Sequence, residues 1–167
     1  METRGKVYKY GDNVNTDVII PARYLNDASA ENLRAHAMED IDPDFAKTVN
    51  RGDVVVGGFN FGSGSSREHA PLALKASGVG AVIAKSFARI FFRNSVNIGL
   101  RIIESAQIAD ETSKNDILTV DNDKIVNLTT GKEYSLPPMD EYVAKILEAG
   151  GLMEAVKNES SNTHFAG

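Results

Sequence analysis

The chain contains no cysteine. Disulfides are therefore impossible, and so is an iron–sulfur cluster held by this polypeptide, because the usual ligands of such clusters are thiolates. Tryptophan is missing too, and imidazole is offered only by His36, His69 and His164, at spacings that match no metal motif. No hydrophobic run approaches the roughly 20 residues of a membrane-spanning helix. The opening residues, Met1-Glu2-Thr3-Arg4-Gly5, do not follow the plan of a signal peptide. A soluble cytoplasmic protein with no membrane partner is expected. Basic residues are outnumbered, 18 against 23 acids for a net charge of −5, which argues against nonspecific nucleic-acid binding. Locally clustered arginines can still focus positive potential in a cleft.

What is present is enough for one core: 167 residues, 42% hydrophobic and 25% charged. No repeat, low-complexity segment or long linker divides the chain. A single α/β domain is expected over residues 1–157, with the small, polar residues 158–167 as a flexible C-terminal tail.

The most informative stretch runs from Gly57 to Ala70, Gly-Gly-Phe-Asn-Phe-Gly-Ser-Gly-Ser-Ser-Arg-Glu-His-Ala. It follows Val54-Val55-Val56, which reads as a buried strand, and precedes Ala70 to Ala76, which reads as a helix. Glycines permit a sharp turn and close approach of a ligand to the backbone. At a helix entry, unpaired N–H groups and the positive end of the dipole favour an anion, and Ser65, Ser66 and Arg67 are placed there. The same residues also suit a plain structural role, with a serine as N-cap, Glu68 answering the dipole and Arg67 solvated. The stretch fits neither a dinucleotide turn nor a phosphate loop, and it lacks the Gly-x-Ser-x-Gly of a nucleophile elbow.

Elsewhere, Lys6 to Tyr10 alternates as a half-solvated strand, and Gly11-Asp12-Asn13 turns the chain. Val18-Ile19-Ile20 reads as a short buried strand stopped by Pro21, with Thr16 and Asp17 in the turn before it. Ser29 to Glu39 reads as a capped helix, with His36 in a structural role. Gly78 suits a helix C-terminus, and Ala81 to Ala84 reads as the next buried strand, so that Val54 to Ala84 forms a right-handed parallel crossover. Ligands of such sheets sit beyond the strand carboxyl ends, where Ser65 to Arg67 and Lys85-Ser86 both fall. Arg89 and Arg93 share a helical face, and Phe91-Phe92 reads as core. Gly99 to Ile103 reads as a strand, Asp116 to Val120 with Lys124 to Leu128 as a hairpin, and Glu133 to Leu136 as a third strand. Met139 to Ala149 reads as a helix burying Tyr142, Val143, Ile146 and Leu147 and closed by Gly150-Gly151, with a short helical turn over Leu152 to Lys157.

Three blocks carry a resemblance. Asp12-Asn13-Val14-Asn15-Thr16-Asp17 through Tyr24-Leu25, then Gly64-Ser65-Ser66-Arg67-Glu68-His69-Ala70, then Ala84-Lys85-Ser86-Phe87-Ala88-Arg89-Ile90 follow one another as in the mobile C-terminal domain of the aconitases. In isopropylmalate dehydratases this domain is a separate small subunit. The resemblance spans about Gly5 to Ile103 and implies the swivelling β/β/α form of an α/β fold. It implies the small subunit of a hydro-lyase that isomerises 2-isopropylmalate and 3-isopropylmalate by dehydration and rehydration, in leucine biosynthesis. The partner it implies is a large subunit that carries a 4Fe-4S cluster as Lewis acid for the leaving hydroxyl. No metal is assigned to this chain.

Residue by residue, the resemblance makes Ser65 the catalytic base. It makes Ser66, Arg67, Thr16, Asp17, Arg23, Tyr24, Leu25 and Asn26 substrate-binding, and Lys85 and Arg89 supporting or interface groups. A serine alkoxide needs oriented donors and positive charge in a water-excluded site, and Arg67 is suited to grip a carboxylate bidentately. The chain departs from true aconitases at Ile20, where they carry serine, and at Ala28, where they carry arginine. Both changes favour a less charged hydroxy-dicarboxylate. Asn26 stands where homoaconitase-type subunits place an arginine. Related dehydratases acting on methylmalate or citraconate, dimethylmalate or homoaconitate remain open as alternatives. A noncatalytic anion-binding module is the alternative of another class.

Overall fold

The computed structural model describes residues 2–166, with side chains described through Glu159. The strands are β1 Thr3–Lys9, β2 Val54–Gly57, β3 Ala81–Ala84, β4 Ile102–Glu104, β5 Ile117–Val120, β6 Lys124–Asn127 and β7 Glu133–Ser135. The helices are α1 Thr16–Ile19, α2 Ala30–His36, α3 Phe45–Thr48, α4 His69–Ala76, α5 Arg89–Asn97, α6 Ala106–Glu111, α7 Glu141–Ala149 and α8 Leu152–Ala166.

All seven strands form one mixed sheet in the order β4-β3-β2-β1-β5-β6-β7. The half from β4 to β1 is parallel, linked by α4 and α5, and the half from β1 through β5 and β6 to β7 is antiparallel. The sheet curls, so that its edge strands β4 and β7 line the same hollow. The fold is therefore the α/β architecture that the sequence implied.

Both faces of the parallel half are buried, which is why its strands read as continuous apolar runs rather than as alternation. Tyr8, Val55 and Val82 point into one core with Ile20, Leu33, Phe45, Phe61 and Leu74. Their neighbours Val7, Val54, Val56 and Ile83 point into the other, with Ile108, Leu118, Ile125 and Tyr134. The antiparallel strands, together with α6, thus cover the face opposite the one packed by α2 to α5.

Several expectations are corrected. Val18-Ile19-Ile20 is not a strand: Asn15 caps α1 by accepting from the Val18 N–H at 2.9 Å, and the short helix ends at Ile19. A cap at Asn15 starts a helical turn that overrides the β-branched run. Phe91 is core at 3% exposed, but Phe92 is 41% exposed. Tyr142 is likewise exposed, while Ile146 and Leu147 of the same helix are buried. Helix α6, capped by Ser105, stands where no element was expected. The short helical turn expected over Leu152 to Lys157 is part of a longer helix, α8, whose bounds are Leu152–Ala166. His164 and Gly167 lie outside what is described of side chains and backbone, respectively.

Candidate active-site cleft

Three loops gather at the carboxyl ends of β2 and β3. Beyond Gly57 and Ala84 the two segments meet again at an isolated parallel bridge, Phe61 to Phe87, shifted by one residue from the register of the strands. Ser86 O accepts from Phe61 N at 3.0 Å, and Phe61 O accepts from Ala88 N at 2.9 Å. On its other side the glycine turn is bound to the loop after β1: Gly62 N donates to Val14 O at 2.7 Å, and Thr16 N donates to Ser63 O at 2.9 Å. The buried Thr16 hydroxyl donates to Ser65 O at 3.0 Å. Asp12 Oδ1 accepts from Phe59 N at 2.7 Å, and Ser86 Oγ accepts from Asn60 N at 2.8 Å. Three segments distant in sequence are thus fixed to one another largely through main-chain atoms.

The glycines are required at two of these positions. Gly62 has φ of +81° and lies so close to the Phe91 ring that a Cβ would overlap it. Gly64 has φ of +93° and faces Thr16 and Asn15.

The result is a cleft of about 260 Å³ lined by Thr16, Gly62, Gly64, Ser65, Ser66, Arg67, Ala88, Arg89, Ile90, Phe91 and Asn94. Ser65 and Ser66 are exposed at it. Arg67 Nη1 pairs with Asp17 Oδ1 at 2.6 Å, with the two side chains 26% and 58% exposed. Ala88, Ile90 and Phe91 at the α5 entry give the cleft an apolar wall. Two larger hollows, of about 1050 and 610 Å³, lie elsewhere. Size does not select the site; the small cleft is singled out because Ser65, Ser66 and Arg67 of the glycine-rich stretch meet Arg89 and an apolar wall there.

One expectation about the cradle changes. Helix α4 begins at His69, after Ser65, Ser66 and Arg67, and Glu68 at its N-cap makes no side-chain cap. Pro71 sets this start, because its missing N–H and ring are tolerated in the first turn and not deeper. The serines therefore stand in the loop before the helix and do not cap it.

The other expected site residues divide into two groups. Thr16, Asp17 and Arg89 join the serines and Arg67 at or beside the cleft. Arg23, Tyr24, Leu25 and Asn26 do not line it. Arg23 Nη2 is held by Glu39 at 2.9 Å and Asp40 at 2.7 Å, and its guanidinium lies over the Tyr24 ring. Tyr24 stacks on His36 with centroids 3.6 Å apart and donates its hydroxyl to Glu39 at 2.6 Å. The hydrogen bonds from Tyr24, His36 and Arg23 hold the Glu39 carboxyl below its ordinary range. Leu25 packs at the edge of the core, and Asn26 is exposed. Lys85 also leaves the cleft: its Nζ pairs with Asp110 at 2.7 Å, which raises its pKa, and it stands over Phe59. Asn94, Ile90 and Phe91 line the cleft without having been singled out for it. Their sequence signal is helical spacing within α5: Asn94 lies one turn after both Ile90 and Phe91, which directly follow Arg89.

No group of three or more His, Cys, Asp or Glu side chains that could hold a metal occurs among the described residues. With no thiolate in the chain, the donors present do not fit an iron–sulfur cluster. No described helix is long and apolar enough to cross a membrane.

Comparison with known proteins identifies the family. Residues 4–107 match the family model described as the aconitase C-terminal domain. The 3-isopropylmalate dehydratase small subunit of Brachyspira hyodysenteriae is 56% identical over 160 residues, covering 95% of this chain and 98% of its own. That of Ruminiclostridium cellulolyticum is 55% identical, covering 96% and 100%. The crystal structure of 3-isopropylmalate dehydratase from Methanocaldococcus jannaschii superposes over 100% of both chains with a TM-score of 0.93 at 42% identity. The chain belongs to the aconitase C-terminal domain family and, within it, to the small subunits of the 3-isopropylmalate dehydratases.

Proposed function

We propose that this chain is the substrate-gripping half of a cytoplasmic hydro-lyase that interconverts 2-isopropylmalate and 3-isopropylmalate, and that it works as one domain closing on a large subunit. The observation that carries this reading is the convergence of Ser65, Ser66, Arg67 and Arg89 on one open cleft with an apolar wall. A hydroxy-dicarboxylate bearing a branched alkyl group needs those features together: cations and hydroxyls for the acid groups, and Ala88, Ile90 and Phe91 for the alkyl group.

Arg67 is pre-positioned by Asp17. A pair this exposed contributes only ~0–1 kcal/mol, so an incoming carboxylate can take the place of Asp17 at little cost. The guanidinium then presents two parallel N–H donors to the substrate, which an ammonium cannot do. Arg89, exposed at the start of α5, answers the second acid group. Ser66 donates to the bound carboxylate, and Ser65 takes the proton next to it. As an alkoxide, Ser65 depends on the two guanidinium groups and on exclusion of water when the halves close. The iron–sulfur cluster belongs to the large subunit, where it supplies the Lewis acid for the departing hydroxyl.

The test is anaerobic reconstitution with the large subunit, following the ultraviolet absorbance of the unsaturated diacid. Ser65→Ala is expected to lose turnover by at least ~100-fold, the scale of a lost general base, while assembly with the large subunit measured by gel filtration is unchanged. Normal turnover by the alanine variant would remove Ser65 from the base role, and turnover by this chain alone would remove the two-subunit reading.

A further inference from the structure

The two edges of the curled sheet do not pair. Between them lies the hollow of about 610 Å³, closed by α5, α6 and α7, a size usual for small-molecule sites of roughly 300–1,000 Å³. Ile102, Ile108, Leu136, Pro137, Val143 and Leu147 give it an apolar lining. It shares no lining residue with the serine cleft.

Two buried polar side chains of this lining carry donors without partners among the described residues. Arg101 is 4% exposed, and its Nε and Nη1 donors have no hydrogen-bond partner among the described residues. Its Nη2 reaches Asn122 O at only 3.4 Å. Tyr134 is 7% exposed, and its hydroxyl is unpartnered as well. Unpaired buried donors are rare in folded proteins and call for a ligand or water. Burial also pushes the Tyr134 phenol up, so it is a neutral donor at physiological pH. The lining further includes Glu104, Glu133 and Asp140, all exposed. They would repel a dianion more than a monoanion.

We propose that this hollow is a binding site for a small monocarboxylate with an aliphatic tail, its head held by Arg101 and Tyr134 and its tail on the apolar lining. The site is independent of the catalytic reading and selects against the dicarboxylates that the serine cleft takes.

Isothermal titration of the full chain with hexanoate tests it, with adipate and 1-hexanol as dianionic and neutral counterparts. Hexanoate is expected to bind at one site with a dissociation constant of about 1 mM or tighter. Adipate and 1-hexanol should bind at least ~10-fold more weakly, because each loses charge or charge selection at the head group. Arg101→Met should weaken hexanoate by at least ~10-fold and Tyr134→Phe by roughly threefold. Val143→Trp, which fills the hollow from α7, should abolish binding and keeps the test open if the Arg101 variant does not fold. Absence of saturable binding, meaning a hollow filled only by water, would overturn the proposal. Hexanoate affinity unchanged by Tyr134→Phe and Val143→Trp, or adipate binding as tightly as hexanoate, would overturn it too.

Discussion

Arg67→Lys separates charge from geometry at the cleft. The substitution keeps a cation beside Asp17 and removes the planar fork, so simple electrostatic steering survives and bidentate grip does not. A hydrogen bond to a charged group contributes ~1.5–3 kcal/mol. At about 1.4 kcal/mol per factor of ten, its loss lowers kcat/KM roughly 10- to 150-fold. The fold should barely notice. Arg67 is 26% exposed and Asp17 58%, so weakening their pair costs at most ~1 kcal/mol, a melting shift of no more than about 4 °C for a domain of this size. The assay is the anaerobic reconstituted reaction with KM and kcat resolved, beside a thermal melt of the isolated chain. Lys85→Ala serves as the contrast, since Lys85 is engaged by Asp110 and does not line the cleft. If Arg67→Lys stays within twofold of the parent kcat/KM, or if Lys85→Ala falls as far as Arg67→Lys, the division of site residues drawn above is wrong.

Two further outcomes concern the scaffold. Gly62→Ala must hold alanine at φ +81° and press a methyl group into the buried Phe91 ring; the left-handed backbone costs ~1–2 kcal/mol and overpacking ~1–3 kcal/mol, so urea unfolding should show a loss of about 2–5 kcal/mol. A loss under about 0.5 kcal/mol would mean the turn is not fixed as described. The Glu39 carboxyl is held below its ordinary 4.5 by Tyr24, His36 and Arg23, so its stabilisation is present above that value and fades as pH falls through the lower, folded pKa. The difference in urea midpoint between the parent and Glu39→Gln should therefore be steady just above pH 5 and shrink towards pH 3. A difference unchanged across that acid range would show that the carboxylate cluster around Arg23 does not form.

Much of the framework was legible in the sequence because it obeys local rules. The crossover from Val54 to Ala84 combines apolar runs of strand length with a helix bounded by Pro71 and Gly78. The hairpin of β5 and β6 follows from its Asp121-Asn122-Asp123 turn. Four-residue α1 was misread because it is too short to display a helical period, and only the Asn15 cap distinguishes it from a strand. At the site, the serines and Arg67 were legible through their shared loop. The fates of Arg23 and Lys85 were not, because each is decided by acids far along the chain, Glu39 and Asp40 for one and Asp110 for the other. Exposure of Phe92 beside buried Phe91 likewise depends on which side of α5 meets the core.

The bonds joining the glycine turn to its neighbours run mostly between peptide groups, Gly62 to Val14, Thr16 to Ser63, Phe61 to Ser86 and Ala88 to Phe61. Peptide groups are common to every residue type other than proline. The frame that brings hydroxyl and guanidinium together is consequently indifferent to most side-chain replacements around it. On the proposed reading of the cleft, residues such as Ile90 and Asn94 could then be exchanged to accept a shorter, longer or more polar substrate tail while Ser65 and Arg67 keep their positions.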